Sequence, residues 1–298
     1  GNSTVTVEPP AGVQIAVDPP VLSLAPGASA TFDVTLRYVS GTLDLWRFGA
    51  LTWTDGERDV RSTIAVKPVT IDAPREITGV GAEGSGAFNV TFGYTGVYDP
   101  RVHGLRLPLI IDGFVDNDPT KTFTFRSTDG VTAHLIDVPA GQLYLRFAMY
   151  DAFTDGNDDL DMYVYYCADN VTCTKIGESG EPTSQERFDY FRPAAGRYAV
   201  LVHGYETDQV AGGPGANYKL LAWSVGEVDD RGNMTVDAAD FVNAGSVEPV
   251  TIDWSGLSSD TIYLGAISHN TPSGLAALTL VTIVVAADVD PGVPPPRR

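Results

Sequence analysis

The chain has 298 residues and carries 19 basic against 38 acidic side chains, for a formal net charge of −19. Its length is typical of two or three domains, and with 43% apolar residues each could bury a sizeable core. The excess of carboxylates would repel a nucleic acid, so DNA and RNA are disfavoured as partners. No apolar run reaches the roughly 18 residues that a membrane helix needs, so no membrane span is predicted.

Taken in chain order, short runs of alternating apolar and polar residues predict strands. The apolar positions of three such runs are Phe32, Val34, Leu36 and Tyr38, then Leu143, Leu145, Phe147 and Met149, then Tyr198, Val200 and Val202. Gly, Pro, Asn and Asp, which favour turns, bound these runs. No segment shows a convincing helical period. The chain is therefore predicted to be all-β, with tandem β-sandwich domains.

One internal repeat is visible. The segment Val90–Gly96 matches Val250–Gly256, and a Gly-Ser pair precedes each copy by a few residues. Either the same strand and turn recur at the edges of two related sandwiches, or both copies belong to one domain into which residues 108–226 are inserted. The sequence leaves both interpretations open.

Carboxylates cluster in the loop from Asp151 to Asp161. Calcium prefers about six to eight oxygen ligands, which closely spaced Asp, Asn and main-chain carbonyl groups supply. The loop lacks the Gly and Glu spacing of an EF-hand. Asp158, Asp159 and Asp161 are the expected ligands of a calcium ion, and an ordinary solvated turn is the alternative.

The strand after this loop alternates Met162 and Val164 with Tyr163 and Tyr165. Met and Val suit a core, so these two residues are predicted to point inward. The tyrosines then lie on the opposite face. They are a candidate binding surface, because exposed Tyr pairs recur at interfaces, and packing under a neighbouring loop is the alternative.

The two cysteines, Cys167 and Cys173, flank a turn-like segment between two strand patterns. A disulfide there is sterically reasonable and would stabilise the fold by roughly 2 kcal/mol. Zinc would need further ligands, and no His is near in sequence. The cysteines therefore predict a disulfide and an oxidising, extracytoplasmic compartment.

The sequence contains no motif for covalent hydrolysis. A Ser–His–Asp protease needs a nucleophile on a tight turn, a base and an orienting carboxylate, and no Gly-x-Ser-x-Gly elbow occurs. His203, in a Val-His-Gly strand end, is expected to hydrogen-bond a loop rather than to act as a base. We expect no active site within the chain.

Residues 12–66 carry a Trp53-Thr-Asp-Gly56 turn followed by a Val60-Arg-Ser62 strand. In this order they closely resemble the fibronectin-III-like domain that follows the catalytic domain of many subtilases. The resemblance implies that the first strands of the domain and a protease catalytic domain precede Gly1.

Residues 112–226 resemble the pre-peptidase C-terminal domain, a small jelly-roll found downstream of secreted peptidases. The matching segments are Asp159–Tyr165, Pro193–Tyr198 and Val202–Gly204. Similar loops in such domains sometimes hold calcium, which favours the acidic loop as a calcium site. Residues 232–288 look like a further sandwich that often follows.

These resemblances imply a non-catalytic C-terminal region of an extracellular subtilisin-like serine endopeptidase. It would serve stability, secretion or attachment to a protein or polysaccharide substrate, with the upstream catalytic domain as partner. The alternative is a secreted or cell-surface adhesin or carbohydrate-binding protein without a protease. The expected divisions are a fibronectin-III-like domain at 1–72, a connecting β segment at 73–107 that can join a sandwich with 232–288, a jelly-roll at 108–226, a sandwich at 227–288 and a flexible tail at 289–298.

Overall fold

The computed structural model describes residues 1–169, 172–208, 215–228, 231–258 and 261–285. Their secondary structure is β except for one 3-10 turn, Asp151–Phe153, which confirms the predicted all-β class. Within these residues, no helix has the length and apolar character to cross a bilayer. The expected tail at 289–298 lies outside the described residues, and the expected domain boundaries stay a prediction.

The strands are short, as the sequence pattern indicates. In chain order they are β1 (Asn2–Glu8), β2 (Val13–Asp18), β3 (Val21–Ser23), β4 (Asp33–Tyr38), β5 (Arg47–Thr54), β6 (Asp59–Val66), β7 (Ile71–Asp72), β8 (Glu76–Val80), β9 (Gly84–Phe92), β10 (Gly96–Val97), β11 (Asp99–Arg106), β12 (Leu109–Asp116), β13 (Val131–Val138), β14 (Gln142–Ala148), β15 (Asp159–Cys167), β16 (Cys173–Ser179), β17 (Arg187–Phe191), β18 (Gly196–Glu206), β19 (Gly215–Gly226), β20 (Met234–Asp237), β21 (Phe241–Val242), β22 (Val247–Trp254), β23 (Ile262–Thr271) and β24 (Gly274–Val284).

The first of two compact units comprises Gly1–Asp72, Val90–Val97 and Phe241–Val247. Its main sheet has the order β3-β1-β5-β6, and β2 pairs with β4. Trp53 on β5 is buried, and Phe32 packs edge-on against it with 5.0 Å between ring centroids. This aromatic contact joins the segment before β4 to the core of the unit.

The second unit contains the described residues of 73–89, 98–240 and 248–298. It has four sheets. Sheet I has the order β13-β18-β15-β16, sheet II β12-β19-β14-β17, sheet III β11-β23-β24-β8, and sheet IV β20-β22-β9. All the pairings within sheets I and II are antiparallel, whereas β8 runs parallel to β24 in sheet III.

Three apolar cores separate the four sheets. The core between sheets I and II includes Met162 and Leu220, the core between II and III includes Trp223 and Leu264, and the core between III and IV includes Trp254 and Ile267. Sheets II and III are therefore covered on both faces. A strand in such a position has few polar residues, which explains the nearly continuous apolar stretch of β19.

The core between sheets II and III also holds a charged cluster. Arg146 on β14 pairs with Glu76 on β8 and with Asp189 on β17, each at 2.7 Å. Arg187 on β17 completes the cluster, at 3.1 Å from Glu76 and 2.9 Å from Asp189. Two guanidinium groups thus neutralise two carboxylates, which is the arrangement that buried charges require.

Candidate functional site

The acidic loop connects β14 to β15 and contains the 3-10 turn Asp151–Phe153. Asp155 accepts hydrogen bonds from the main-chain and side-chain N–H groups of Asn217 at 2.8 and 2.6 Å. Asp208 accepts one from the main-chain N–H of Asn157 at 3.0 Å. Asp155 therefore ties the loop to β19, and Asp208 ties it to the segment after β18.

Asp158 differs from them in its burial, since it is only 6% exposed. Its Oδ1 accepts the main-chain N–H of Asp208 at 2.9 Å, whereas its Oδ2 is buried without a hydrogen-bond partner. Burial raises the pKa of Asp158 and outweighs the opposing hydrogen bond, and the charges of Asp208 and Asp155 raise it further. A proton or a cation would stabilise such an oxygen.

The other two predicted ligands, Asp159 and Asp161, lie on β15. Oδ2 of Asp161 lies 3.2 Å from Nδ1 of His203 and accepts a hydrogen bond from the Tyr163 hydroxyl at 3.3 Å. Burial, then the charge of Asp161, raises the pKa of Asp159. Across the described residues, no three carboxylate, imidazole or thiol groups converge as metal ligands. The structure thus does not bring Asp158, Asp159 and Asp161 together as one ligand set.

His203 lies between two carboxylates. Its Nε2 is 3.0 Å from Oδ2 of Asp118, opposite the contact with Asp161. Burial opposes a charge on His203, but the hydrogen bonds to Asp161 and Asp118 outweigh it and raise the pKa of the imidazole. Asp118 also accepts the main-chain N–H groups of Thr120 and Thr122, at 2.8 and 3.0 Å. The expectation that His203 binds a loop is confirmed.

Asp118 and Asp208 were not identified from the sequence. Asp118 is 85 residues from His203, and Asp208 is 50 residues from Asp158. Neither lies in a motif with fixed spacing, so only the pairing of distant strands brings these groups together. The Val-His-Gly strand end was the one local signal.

The segment that Asp118 anchors, residues 117–130, covers the two candidate binding tyrosines. The ring of Phe123 stacks on Tyr163 with 3.6 Å between centroids, and Phe125 stacks on Tyr165 at 4.3 Å. The structure therefore places one face of each tyrosine against a loop. Met162 and Val164 are fully buried on the opposite side, as predicted.

The cysteines form the predicted disulfide. Cys167 and Cys173 are direct partners at the ends of β15 and β16, with an S–S distance of 2.02 Å. The bond closes this hairpin at the edge of sheet I.

Sequence comparisons match the chain to a protein family and to a known protein. Residues 1–66 match the family described as fibronectin type-III domain. Over 223 residues the chain is 24% identical to pyrolysin from Pyrococcus furiosus. That match covers 70% of this chain and 15% of pyrolysin, so the chain corresponds to a small part of the curated relative. The resemblance noted in the sequence is confirmed by these matches.

Two solved structures show a limited likeness. The pre-peptidase C-terminal domain of collagenase from Bacillus anthracis matches with a TM-score of 0.28 and 10% identity, covering 39% of this chain and 90% of that domain. The M60 catalytic domain of Clostridium perfringens ZmpB with its CBM51-1 and CBM51-2 domains matches with a TM-score of 0.21 and 10% identity, covering 97% of this chain and 40% of that chain.

Proposed function

We propose that the chain is a non-catalytic accessory region of an extracellular subtilisin-like serine endopeptidase. The observation that carries the proposal is the match to pyrolysin, a subtilisin-like protease, over 70% of the chain. The fibronectin type-III match over residues 1–66 supports it. The disulfide supports an extracellular location, because such bonds persist in oxidising compartments.

Within such an enzyme, the region would stabilise the catalytic domain, assist secretion, or hold the enzyme on a protein or polysaccharide substrate. The second unit suits these roles, because three apolar cores and an internal ion cluster make a well-packed scaffold. A rigid scaffold can present a binding surface without losing conformational entropy when the ligand binds.

The test compares the complete gene product with a version truncated before Gly1. We expect equal rates on a short soluble peptide, because the chemistry lies outside this region. The truncated enzyme should show a lower secreted yield, a shorter half-life on heating, or a lower rate on insoluble protein. Equality in all three measurements would overturn the proposal, as would a complete gene product without serine endopeptidase activity.

We also propose that the acidic loop binds calcium through the buried Asp158, without Asp159 and Asp161, which the structure does not bring into one ligand set with it. The support is chemical: Oδ2 of Asp158 is a buried hard oxygen without a hydrogen-bond partner, and the negative charges of Asp208 and Asp155 act on it. Calcium would act there by stabilising the loop and would take no part in catalysis.

A further inference from the structure

One side of β24 is only partly paired. β8 pairs with β24 from Leu280 to Val284, and no described strand lies beside Gly274–Thr279 on that side. The N–H of Leu280 donates to the carbonyl of Arg75 at 2.8 Å. Because main-chain groups two residues apart point the same way, the N–H and C=O of Leu278 also point to this open side. An unpaired strand edge is a template for another chain.

A groove of about 720 Å³ lies along this edge, within the range of ligand-binding clefts. Leu275–Leu278 form one wall, and Tyr144 and Phe191 from sheet II form another. Tyr144 and Leu278 are half-buried against the core between sheets II and III, whereas Phe191 is 47% exposed. The groove therefore offers an apolar surface directly beside open main-chain groups.

The charged groups of the groove favour an anion. Glu76 and Asp189 line it, but both are already bound to Arg146 and Arg187. Arg75 and Arg192 also line the groove and are exposed.

Among the described residues Arg75 has no carboxylate partner, and the nearest to Arg192 is Glu227 at 3.9 Å. Arg192 also lies over the ring of Phe191, with 5.3 Å from its Cζ to the ring centroid. In a chain of net charge −19, a groove with one arginine that has no carboxylate partner and a second in a long, exposed ion pair stands out as a site for a carboxylate.

We propose that this groove binds an extended acidic peptide of another protein, which adds as a strand to the open edge of β24. Main-chain hydrogen bonds would supply affinity, and the side chains of alternate residues would give specificity. The apolar wall would receive one face of the peptide, while Arg75 and Arg192 would bind its carboxylates. Whether the groove binds such a peptide does not depend on the proposed function. Only the biological role of this binding, attachment of the enzyme to an acidic protein substrate, rests on it.

Three labelled octapeptides separate the contributions of the carboxylates and of the main-chain hydrogen bonds to peptide binding. The first alternates Leu and Glu, the second alternates Leu and Lys, and the third is the Leu-Glu peptide with alternate amides N-methylated. Fluorescence anisotropy should show saturable binding of the first alone. Slower hydrogen exchange at the Leu278 amide should accompany it, because that N–H would become bonded. Equal binding of all three peptides, or none at millimolar concentration, would overturn the proposal.

Variants then locate the site. Arg75→Gln with Arg192→Gln should weaken binding of the Leu-Glu peptide about fivefold, as expected for two solvent-exposed ion pairs. Arg37→Gln with Arg58→Gln makes the same charge change at exposed positions of the first unit and should leave affinity unchanged. Ala276→Trp, at an exposed position that lines the groove, should abolish binding by filling it. Equal weakening by the two double variants would refute the assigned site.

The groove proposal and the proposed accessory function are refuted by different results. If no peptide binds but truncation of the parent enzyme still shortens its half-life, the accessory role stands and the groove proposal falls. Sedimentation of the chain alone gives a further check. Self-association that Ala276→Trp removes would assign the groove to a second copy of the chain and overturn the peptide proposal.

Discussion

The guanidinium of Arg146 binds the carboxylate of Glu76 through two hydrogen bonds, of 2.7 and 3.0 Å, although the two residues are on different sheets. Arg146 is only 2% exposed, and it also binds both oxygens of Asp189. Bidentate pairs of this kind are strong and directional. The interface between sheets II and III is thus held by an ion cluster as well as by apolar packing.

We predict that Arg146→Leu destabilises the chain by about 3 kcal/mol, because it leaves two largely buried carboxylates with one remaining guanidinium. The free energy of unfolding from urea titration measures this effect. Arg197→Leu is the matched control, because Arg197 pairs with Asp137 at an exposed position and should cost at most about 1 kcal/mol. If the two variants lost equal stability, the buried cluster would contribute no more than a surface pair.

The contrast between strand faces explains how much of this fold the sequence predicts. On β15, Met162 and Val164 face the core between sheets I and II, and Tyr163 and Tyr165 lie on the opposite face under the 117–130 segment, so period-2 alternation is sufficient to assign the two faces. On β19, Leu220 and Trp223 are both buried because apolar cores lie on both sides of the strand, so alternation carries no information there.

Local sequence patterns do not predict contacts between residues that are far apart in the chain. Glu76 and Arg146 are 70 residues apart, and the stack of Phe123 on Tyr163 depends on how the 117–130 segment returns over sheet I. The disulfide, by contrast, could be predicted because both cysteines belong to one hairpin. The acidic loop was found by composition, but which of its carboxylates is buried depends on tertiary contacts such as that from Asp208 to Asp158.

The disulfide should contribute about 2 kcal/mol, the loop-entropy value for a short closed loop. We predict that Cys167→Ser with Cys173→Ser lowers the free energy of unfolding by this amount and keeps the far-ultraviolet circular dichroism of the native chain. A reductant should lower the melting temperature of the native chain and leave that of the double variant unchanged. If the reductant also lowered the melting temperature of the double variant, which has no disulfide, the effect on the native chain would not be due to this bond.

Glu186 makes the stability of the folded chain depend on pH. It is 1% exposed, Glu181 donates a main-chain N–H to its Oε1 at 2.7 Å, and burial raises its pKa to about 8. In the unfolded chain this carboxyl ionises near its ordinary pKa of 4.5. Between these values the folded state binds more protons, so its stability falls as the pH rises from about 4.5 to about 8.

We predict that Glu186→Gln removes this loss. The variant should match the native chain in thermal melts near pH 4.5 and exceed it in melting temperature at pH 8. Glu57→Gln, at an exposed turn position, controls for the change in net charge. Parallel pH profiles of Glu186→Gln and the native chain would show that Glu186 is ionised in the folded state at neutral pH.

Asp158 allows a sharp test of the calcium proposal, because its two possible partners, a proton and a cation, predict opposite effects of one substitution. With chelator at pH 7, Asp158→Asn should be more stable than the native chain, since a buried carboxylate whose pKa is raised weakens the fold when it ionises. With calcium in excess, the native chain should gain stability by mass action, and the variant should not. Asp112→Asn, which alters an exposed carboxylate on β12, should retain the calcium response. If the thermal melts of the native chain with and without calcium coincide, the calcium proposal is refuted and Asp158 binds only a proton.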